Sequence, residues 1–263
     1  MHSDTVIEMS DAPDPAEPVA SVCARRRAGW SDEIAFWDHW LATRGFNWPE
    51  DYRRKTDPKA RIQIPHRFLP REATCLRRFL ARRPPRISIL DVGSGPLSLV
   101  GTRLPGVEVE LVPVDPLAGE YNAMLDRHGV SPPVRTRPCA AESVADVLGE
   151  ARFDLVYCQN ALDHTEEPLA GLEQMVRAVK PGRWVLLKHV IDEGEHEGYV
   201  GLHDWNFRIE DGRFVIWNRE TRIYPDERLP LAAGVEPELV DEEGYTWVRV
   251  GIRRSARRAG TTS

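Results

Sequence analysis

The chain has 263 residues, 41% of them hydrophobic and 29% charged, with a formal net charge of −6 at pH 7. That length suits one domain with additions and an ample core, and the acidic balance argues against a surface built for nucleic acid or an anionic membrane. Four cysteines, Cys23, Cys75, Cys139 and Cys158, stand far apart with no Cys-x-x-Cys pair, so neither a zinc knuckle nor a disulfide framework is expected. No run reaches the ~20 apolar residues of a membrane span, and the N-terminus lacks a basic-then-apolar signal. A cytoplasmic protein with reduced thiols is expected.

In chain order, residues 1–29 are rich in Asp, Pro, Ala and Glu and read as a disordered tail, because they hold too few large apolar groups to bury. Residues 30–83 read as a helical cap. Ile34, Trp37 and Leu41 share one helical face with Phe36 and Trp40 beside it, Asp32 and Glu33 suit a first turn, and Gly45 suits the stop. Arg71 to Arg83 reads as a second, basic amphipathic helix that Pro84-Pro85 ends.

The stretch from Arg86 to Gly101 follows. Ile87, Ile89, Leu90 and Val92 make a near-continuous apolar run of the buried parallel type. Gly93 and Gly95 allow a tight turn, and Pro96 suits the first turn of a helix after it. A dinucleotide fingerprint wants a third glycine where Ser98 stands. Asp91 would repel a pyrophosphate and attract a ligand with an ammonium or sulfonium group. Asp115 ends the next strand, Val107 to Asp115, about 20 residues on, where an acid takes ribose hydroxyls. Adenosine joined to a positive group describes S-adenosylmethionine.

Pro116 to His128 reads as a helix, Val134 to Cys139 as a strand, Ser143 to Leu148 as a short helix and Phe153 to Asn160 as the fourth strand. The C-terminal end of that strand places Asn160, Asp163 and His164 beside the first strand's turn. Thr165 caps a helix over Glu166 to Val179, and Lys180-Pro-Gly182 turns into a fifth strand, Trp184 to Val190. Residues 191–253 are expected to supply a mobile substrate loop (191–204), a hairpin about Asp211-Gly212 and two antiparallel last strands, Pro237 to Val240 and Tyr245 to Ile252. Residues 254–263 read as a basic tail.

With Leu90-Asp-Val-Gly-Ser-Gly95, Asp115, Phe153 to His164 and Val179 to Leu187 in this order, the chain resembles the class I S-adenosylmethionine-dependent methyltransferases over residues 84–190. The resemblance implies an α/β fold with a doubly wound, mainly parallel seven-stranded sheet and antiparallel last strands, an N-terminal helical cap and an inserted C-terminal β-hairpin. It implies S-adenosylmethionine contacts from Asp91, Gly93, Ser94, Gly95, Pro96, Asp115, Pro116, Ala141, Glu142 and Asn160. Where the family has an acid for the adenine amino group this chain has Ala140; Glu142 either reaches that group or caps the helix after it. The cap helices of the family cover the cofactor, which makes Trp37, Trp40, Phe46 and Trp48 candidates for contact with substrate.

Methyl transfer to a hydroxyl needs a base, and a His titrating near 6.5 suits the task. The candidates are His203, with Asp204 as its orienting partner, and His164. The acids and histidines from Asp192 to Asp204 resemble sets that hold a divalent metal in some family members; a solvated loop is the commoner reading of such a set, and no metal is expected. The fourth strand ends in Asn160-Ala-Leu-Asp, unlike the Asn-Pro-Pro-Tyr that grips a flipped base. This favours a small-molecule acceptor of glycan or secondary-metabolite type over RNA or protein. A catalytically inactive binding protein is the further alternative. No nucleic acid or membrane partner is expected, and a homodimer is left open.

Overall fold

The computed structural model describes residues 19–56, 86–104, 107–242 and 244–256. The expected helix Arg71 to Arg83, residues 1–18 of the expected tail and residues 257–263 lie outside the described residues. Among the described residues no helix is long and apolar enough to cross a membrane.

The main sheet takes its strands in chain order from β1 (Arg86–Val92), β2 (Arg103–Leu104), β3 (Val107–Asp115), β4 (Arg137–Pro138), β5 (Phe153–Gln159) and β6 (Val179–Val190). A separate small sheet follows, made of β7 (Asn206–Glu210), β8 (Arg213–Trp217) and β9 (Arg222–Ile223), and then β10 (Ala232–Glu242) and β11 (Tyr245–Arg254) complete the main one. Its order runs β10, β11, β6, β5, β1, β3, with β2 and β4 both on the outer side of β3. β1 pairs in parallel with β3 and β5, β5 in parallel with β6, while β11 is antiparallel to β6 and to β10. The expected sheet is borne out, with short β2 as an extra antiparallel strand at its edge. The winding reverses between β1 and β5, so their carboxyl ends border the crevice where such sheets bind ligands. β1 is buried at every position after Arg86, as a strand covered on both faces must be.

The Asp211-Gly212 hairpin is present, with both residues at positive φ (48° and 77°) as a two-residue primed turn requires. Helix α1 (Val19–Ala42) also ends as expected: the Gly45 N–H, at φ 98°, donates to the Trp40 carbonyl (2.8 Å). α2 (Pro49–Thr56) follows it, and Trp40 and Leu41 pack with Leu97, Leu117, Tyr121, Met124 and Leu125 in one apolar cluster. Three of these last five, Tyr121, Met124 and Leu125, belong to helix α3 (Ala118–Arg127).

Four expectations are corrected. First, α1 starts at Val19, inside the stretch read as tail. Its early turns are held by tertiary contacts: a Cβ on Gly29 would stand 2.7 Å from the Leu202 side chain, and Arg26 donates to the His164 carbonyl (2.8 Å) and pairs with Glu166 (3.0 Å). Second, no helix follows the glycine turn; residues 93–102 run irregularly into β2. The Ser98 hydroxyl donates to Asp91 (2.5 Å) and accepts from the Val100 N–H (3.1 Å), a local bond that competes with helix. Third, after the short helix α4 (Val144–Leu148), Thr165 does not cap the next one. Its hydroxyl donates to the Leu162 carbonyl (2.6 Å), and helix α5 (Pro168–Ala178) opens instead on Pro168. Fourth, the segment 191–204 is built rather than loose. It contains α6 (Glu193–His196), and Asn206 pins it by accepting from the Glu195 N–H (2.7 Å) and donating to the Tyr199 hydroxyl (2.9 Å).

Gly93 (φ 66°) is required where the turns after β1 and β5 meet, because a Cβ there would overlap the Ala161 methyl. Left-handed strain of about 1–2 kcal/mol and overpacking of about 1–3 kcal/mol add at this site. Gly93→Ala is therefore expected to cost roughly 2 kcal/mol or more in urea unfolding, and Ala161→Gly placed beside it should recover the overpacking part. Equal stability of Gly93→Ala and the wild type would show that the two turns do not touch.

Candidate active site

β1 delivers Asp91 to the floor of the crevice, 4% exposed. Burial pushes its carboxyl up to about 7, against the pull of the Ser98 hydroxyl, and the nearby Asp115 charge pushes the same way. Asp115, at the end of β3, is also buried; desolvation raises it to about 6 although its Oδ1 accepts from the Leu117 N–H (2.9 Å) and its Oδ2 from the Gly95 N–H (3.1 Å). The turn between these acids is braced from below. Ser94 donates its N–H to the Val114 carbonyl (3.1 Å), and the buried Thr136 hydroxyl donates to the Gly95 carbonyl (2.8 Å) and lies 3.1 Å from the Ser94 hydroxyl. Thr136 was not foreseen; a short polar residue just before a two-residue strand has no local signal. Pro96 is buried beside the turn and Pro116 is exposed.

Helix α1 lies over this turn. A Cβ on Gly95 would be 3.5 Å from the Trp37 ring, and the Trp37 indole donates to Glu33 (2.7 Å). Burial, and after it the Asp115 and Glu33 carboxylates, push the Tyr121 hydroxyl up, and the Glu33 charge is felt at Asp115. Of the four aromatics expected near substrate, Trp37 reaches the crevice, Trp40 is core, and Phe46 and Trp48 are exposed. On the adenine side, Ala141 to Ser143 form a 3-10 turn with Ala141 buried. The N–H groups that open α4 donate to the Gln174 side chain (2.9 and 3.2 Å). Glu142 therefore does not cap α4 and is half-buried.

The polar centre lies at the carboxyl end of β5. Asn160, at φ 47°, accepts from the Val190 N–H (3.1 Å) and donates to Glu193 (3.0 Å), so it joins β5 to the end of β6 and to α6. Three residues on, Asp163 is fully buried. Its Oδ2 lies 2.8 Å from His203 Nδ1 and 3.3 Å from His164 Nε2, and those two nitrogens are 3.3 Å apart. His189 Nδ1 of β6 is 4.0 Å from Asp163 Oδ1. Burial alone would raise Asp163, but the charges of His164 and the hydrogen bond from His203 carry it below the usual carboxylate range. Desolvation would lower His203; its bond to Asp163 and the surrounding acids lift it to about 9. His189, buried and stacked on Phe207, is driven down to about 4. Glu193 rises to about 7 through desolvation and the Asp163 charge.

This changes the expected roles. His203 and His164 are together as foreseen, but the acid that orients His203 is Asp163; Asp204 instead lies 3.9 Å from the Arg26 guanidinium. His203 carries a proton at neutral pH and is not the free base its ordinary pKa suggested. Within the segment from Asp192 to Asp204, Glu195, His196 and Glu197 face solvent. Asp192 is tied to Arg208 (2.9 and 2.7 Å) and to the Trp217 indole (2.9 Å), leaving Glu193 and His203 turned inward.

The crevice fits a cationic adenosyl cofactor. Asp91 and Asp115 are buried acids flanking an open glycine turn, and among the described residues neither has a Lys or Arg partner. Asp91, Gly93, Ser94 and Gly95 would hold its amino-acid end, and Asp115 its ribose. Strand order and the placing of these acids define the class: this is a class I S-adenosylmethionine-dependent methyltransferase domain. The chain belongs to the methyltransferase domain family, whose model matches residues 66–220.

It is 28% identical over 165 residues to a ubiquinone biosynthesis O-methyltransferase of Alkalilimnicola ehrlichii, covering 57% of this chain and 64% of that one. The match thus spans just under two thirds of the relative's length. Among solved structures, it is similar to a 1,6-didemethyltoxoflavin-N1-methyltransferase of Burkholderia thailandensis with bound S-adenosylhomocysteine (16% identity, 94% and 93% of the two chains, TM-score 0.47). It is similar also to the CMeT domain of the citrinin polyketide synthase (16% identity, 68% and 50% of the two chains, TM-score 0.48).

An acid whose folded pKa is raised destabilises the ligand-free chain as pH climbs from its unfolded value, about 4, through the folded one. A cationic ligand favours the ionised form. Affinity for S-adenosylmethionine is therefore expected to rise up to about pH 7 and level off above it, being roughly tenfold weaker at pH 6, with proton release on binding. Asp91→Asn should raise the melting temperature of the ligand-free chain at pH 8 while weakening cofactor binding at least about tenfold. Calorimetry in buffers of different ionisation enthalpy checks this; binding without proton release at pH 6 would contradict it.

Proposed function

We propose that the chain transfers the methyl group of S-adenosylmethionine to an oxygen or nitrogen of a small molecule, with an acceptor hydroxyl the reading favoured here. The observation that carries it is the adjacency of two centres: Asp91 and Asp115 under the glycine turn, with no Lys or Arg partner among the described residues, and the Asp163, His164, His203 and Glu193 group beyond the end of the neighbouring strand β5. The cofactor supplies an activated methyl on a sulfonium leaving group. The residues of this chain then have to orient the acceptor, exclude water and take a proton.

Glu193, half-buried and poised near 7, suits the base better than His203, which already holds its proton at neutral pH. His203 donates toward an acceptor oxygen, and Asp163 fixes that ring. Trp37 above Gly95 and Leu202 against Gly29 close the crevice from the α1 side, which supports a small acceptor over a polymer. The curated relative named for O-methylation supports oxygen as the nucleophile.

The test is a screen of hydroxylated and aminated small molecules, with RNA and protein fractions alongside, scoring formation of S-adenosylhomocysteine. Turnover on a small hydroxyl compound is expected; turnover confined to the macromolecular fractions, or no affinity for either form of the cofactor, would overturn the reading. Glu193→Gln is expected to lower turnover about 100-fold or more, the usual contribution of a positioned base. It should abolish the limb of the rate profile near pH 7 and leave cofactor affinity unchanged.

A further inference from the structure

The arrangement of Asp163, His164 and His203 goes beyond a paired histidine. Three donor atoms from three residues, Asp163 Oδ2, His164 Nε2 and His203 Nδ1, form a triangle with sides of 2.8, 3.3 and 3.3 Å. Atoms about 2.0–2.1 Å from one zinc ion in tetrahedral array stand roughly 3.3–3.4 Å apart. Hydrogen bonding accounts poorly for this geometry. Two ring nitrogens lie 3.3 Å apart and share one carboxylate oxygen; if each donates to that oxygen their N–H groups crowd against one another, and if His164 Nε2 is deprotonated its 3.3 Å approach to the carboxylate is left without a proton.

Independent of that triangle, the buried polar atoms around it lack partners. Asp163 Oδ1, both ring nitrogens of His189 and Glu193 Oε2 are buried and make no hydrogen bond. Asp163 and His189 are themselves fully buried, 0% and 1% exposed. Native interiors rarely leave such atoms unmatched without a bound water, ligand or ion. The side chains of His164 and His203, by contrast, are 21% and 25% exposed, so the group is reachable from solvent.

We propose that Asp163, His164 and His203 bind one divalent transition-metal ion, zinc foremost, which takes a hydroxyl oxygen of the methyl acceptor at its open position. Two imidazoles and one carboxylate are a donor set for zinc, cobalt, iron or nickel rather than magnesium or calcium. Three protein ligands with a free position are the pattern of catalytic rather than structural zinc. The ion displaces the Nδ1 proton that His203 holds in the ion-free chain, and an oxygen bound to the ion acidifies. Its proton passes to Glu193, the oxygen's electron pair forms the new C–O bond, the C–S bond breaks, and sulfur keeps its pair as a neutral thioether. The role given to the ion rests on the methyl-transfer reading; its presence does not.

The full chain, stripped with chelator and dialysed, is titrated with Zn²⁺ by calorimetry and with Co²⁺ by visible absorption, the latter reporting the ligand field without any need for activity. One ion per chain is expected. His164→Gln and His203→Gln should each weaken binding by more than about 100-fold, beyond the roughly 10- to 100-fold that loss of a mere supporting partner costs. His196→Gln, a change on the solvent face of α6, should leave it intact. S-adenosylhomocysteine binding is measured on the same samples and is expected to persist in all three variants, so a failure of the cofactor reading registers separately. No ion bound by the wild type, or an ion retained by both His164→Gln and His203→Gln, overturns the proposal.

Discussion

A single fully buried carboxylate organises this half of the molecule. Burying an isolated charge is prohibitive unless partners converge on it, and Asp163 gathers His164 from its own turn, His189 from β6 and His203 from the segment beyond α6. Its backbone carbonyl also accepts from the Asp204 N–H (3.1 Å), and the neighbouring His164 carbonyl receives Arg26 of α1. Four stretches of chain are thereby referred to one point. The geometry of any reaction at the end of β5 follows from that point.

The acids of the cofactor crevice show the opposite logic. Asp91 and Asp115 are buried with no Lys or Arg partner among the described residues, held by hydroxyl and N–H donors. Their raised pKa values mean that the ligand-free fold carries an electrostatic cost that a sulfonium and an ammonium would relieve. Stability has been given up at the place where binding gains from it. The Asp163 centre keeps its charge whether or not a ligand is present, because its partners are built in.

What was legible in the sequence was local. The apolar run of β1, the glycine turn, the Asp211-Gly212 hairpin and the paired last strands each announce themselves within ten residues. What was not legible depends on contacts across the chain. Three arginines, an alanine and a glycine near Arg26 look like tail until Leu202 and His164 provide something to pack on. The helix after Gly95 fails because one serine hydroxyl finds Asp91. His203 looked like a base near 6.5 because the acid that lifts it to about 9 lies 40 residues earlier in sequence. Glu193 was one acid among several until burial singled it out.

The missing helix after the glycine turn has a selective effect of its own. In nucleotide folds the turn after the first strand normally opens a helix whose N–H groups and dipole attract phosphate. Here the turn offers no such field. Two other helix starts near the crevice are already occupied, α3 by the Asp115 carboxylate and α4 by Gln174. Abundant phosphorylated nucleotides share the adenosine of the cofactor, yet they find buried acids and spent N–H groups at the place where their charge must go. The crevice thus screens its ligands by the sign of what is attached to the ribose, before any contact with the acceptor is made.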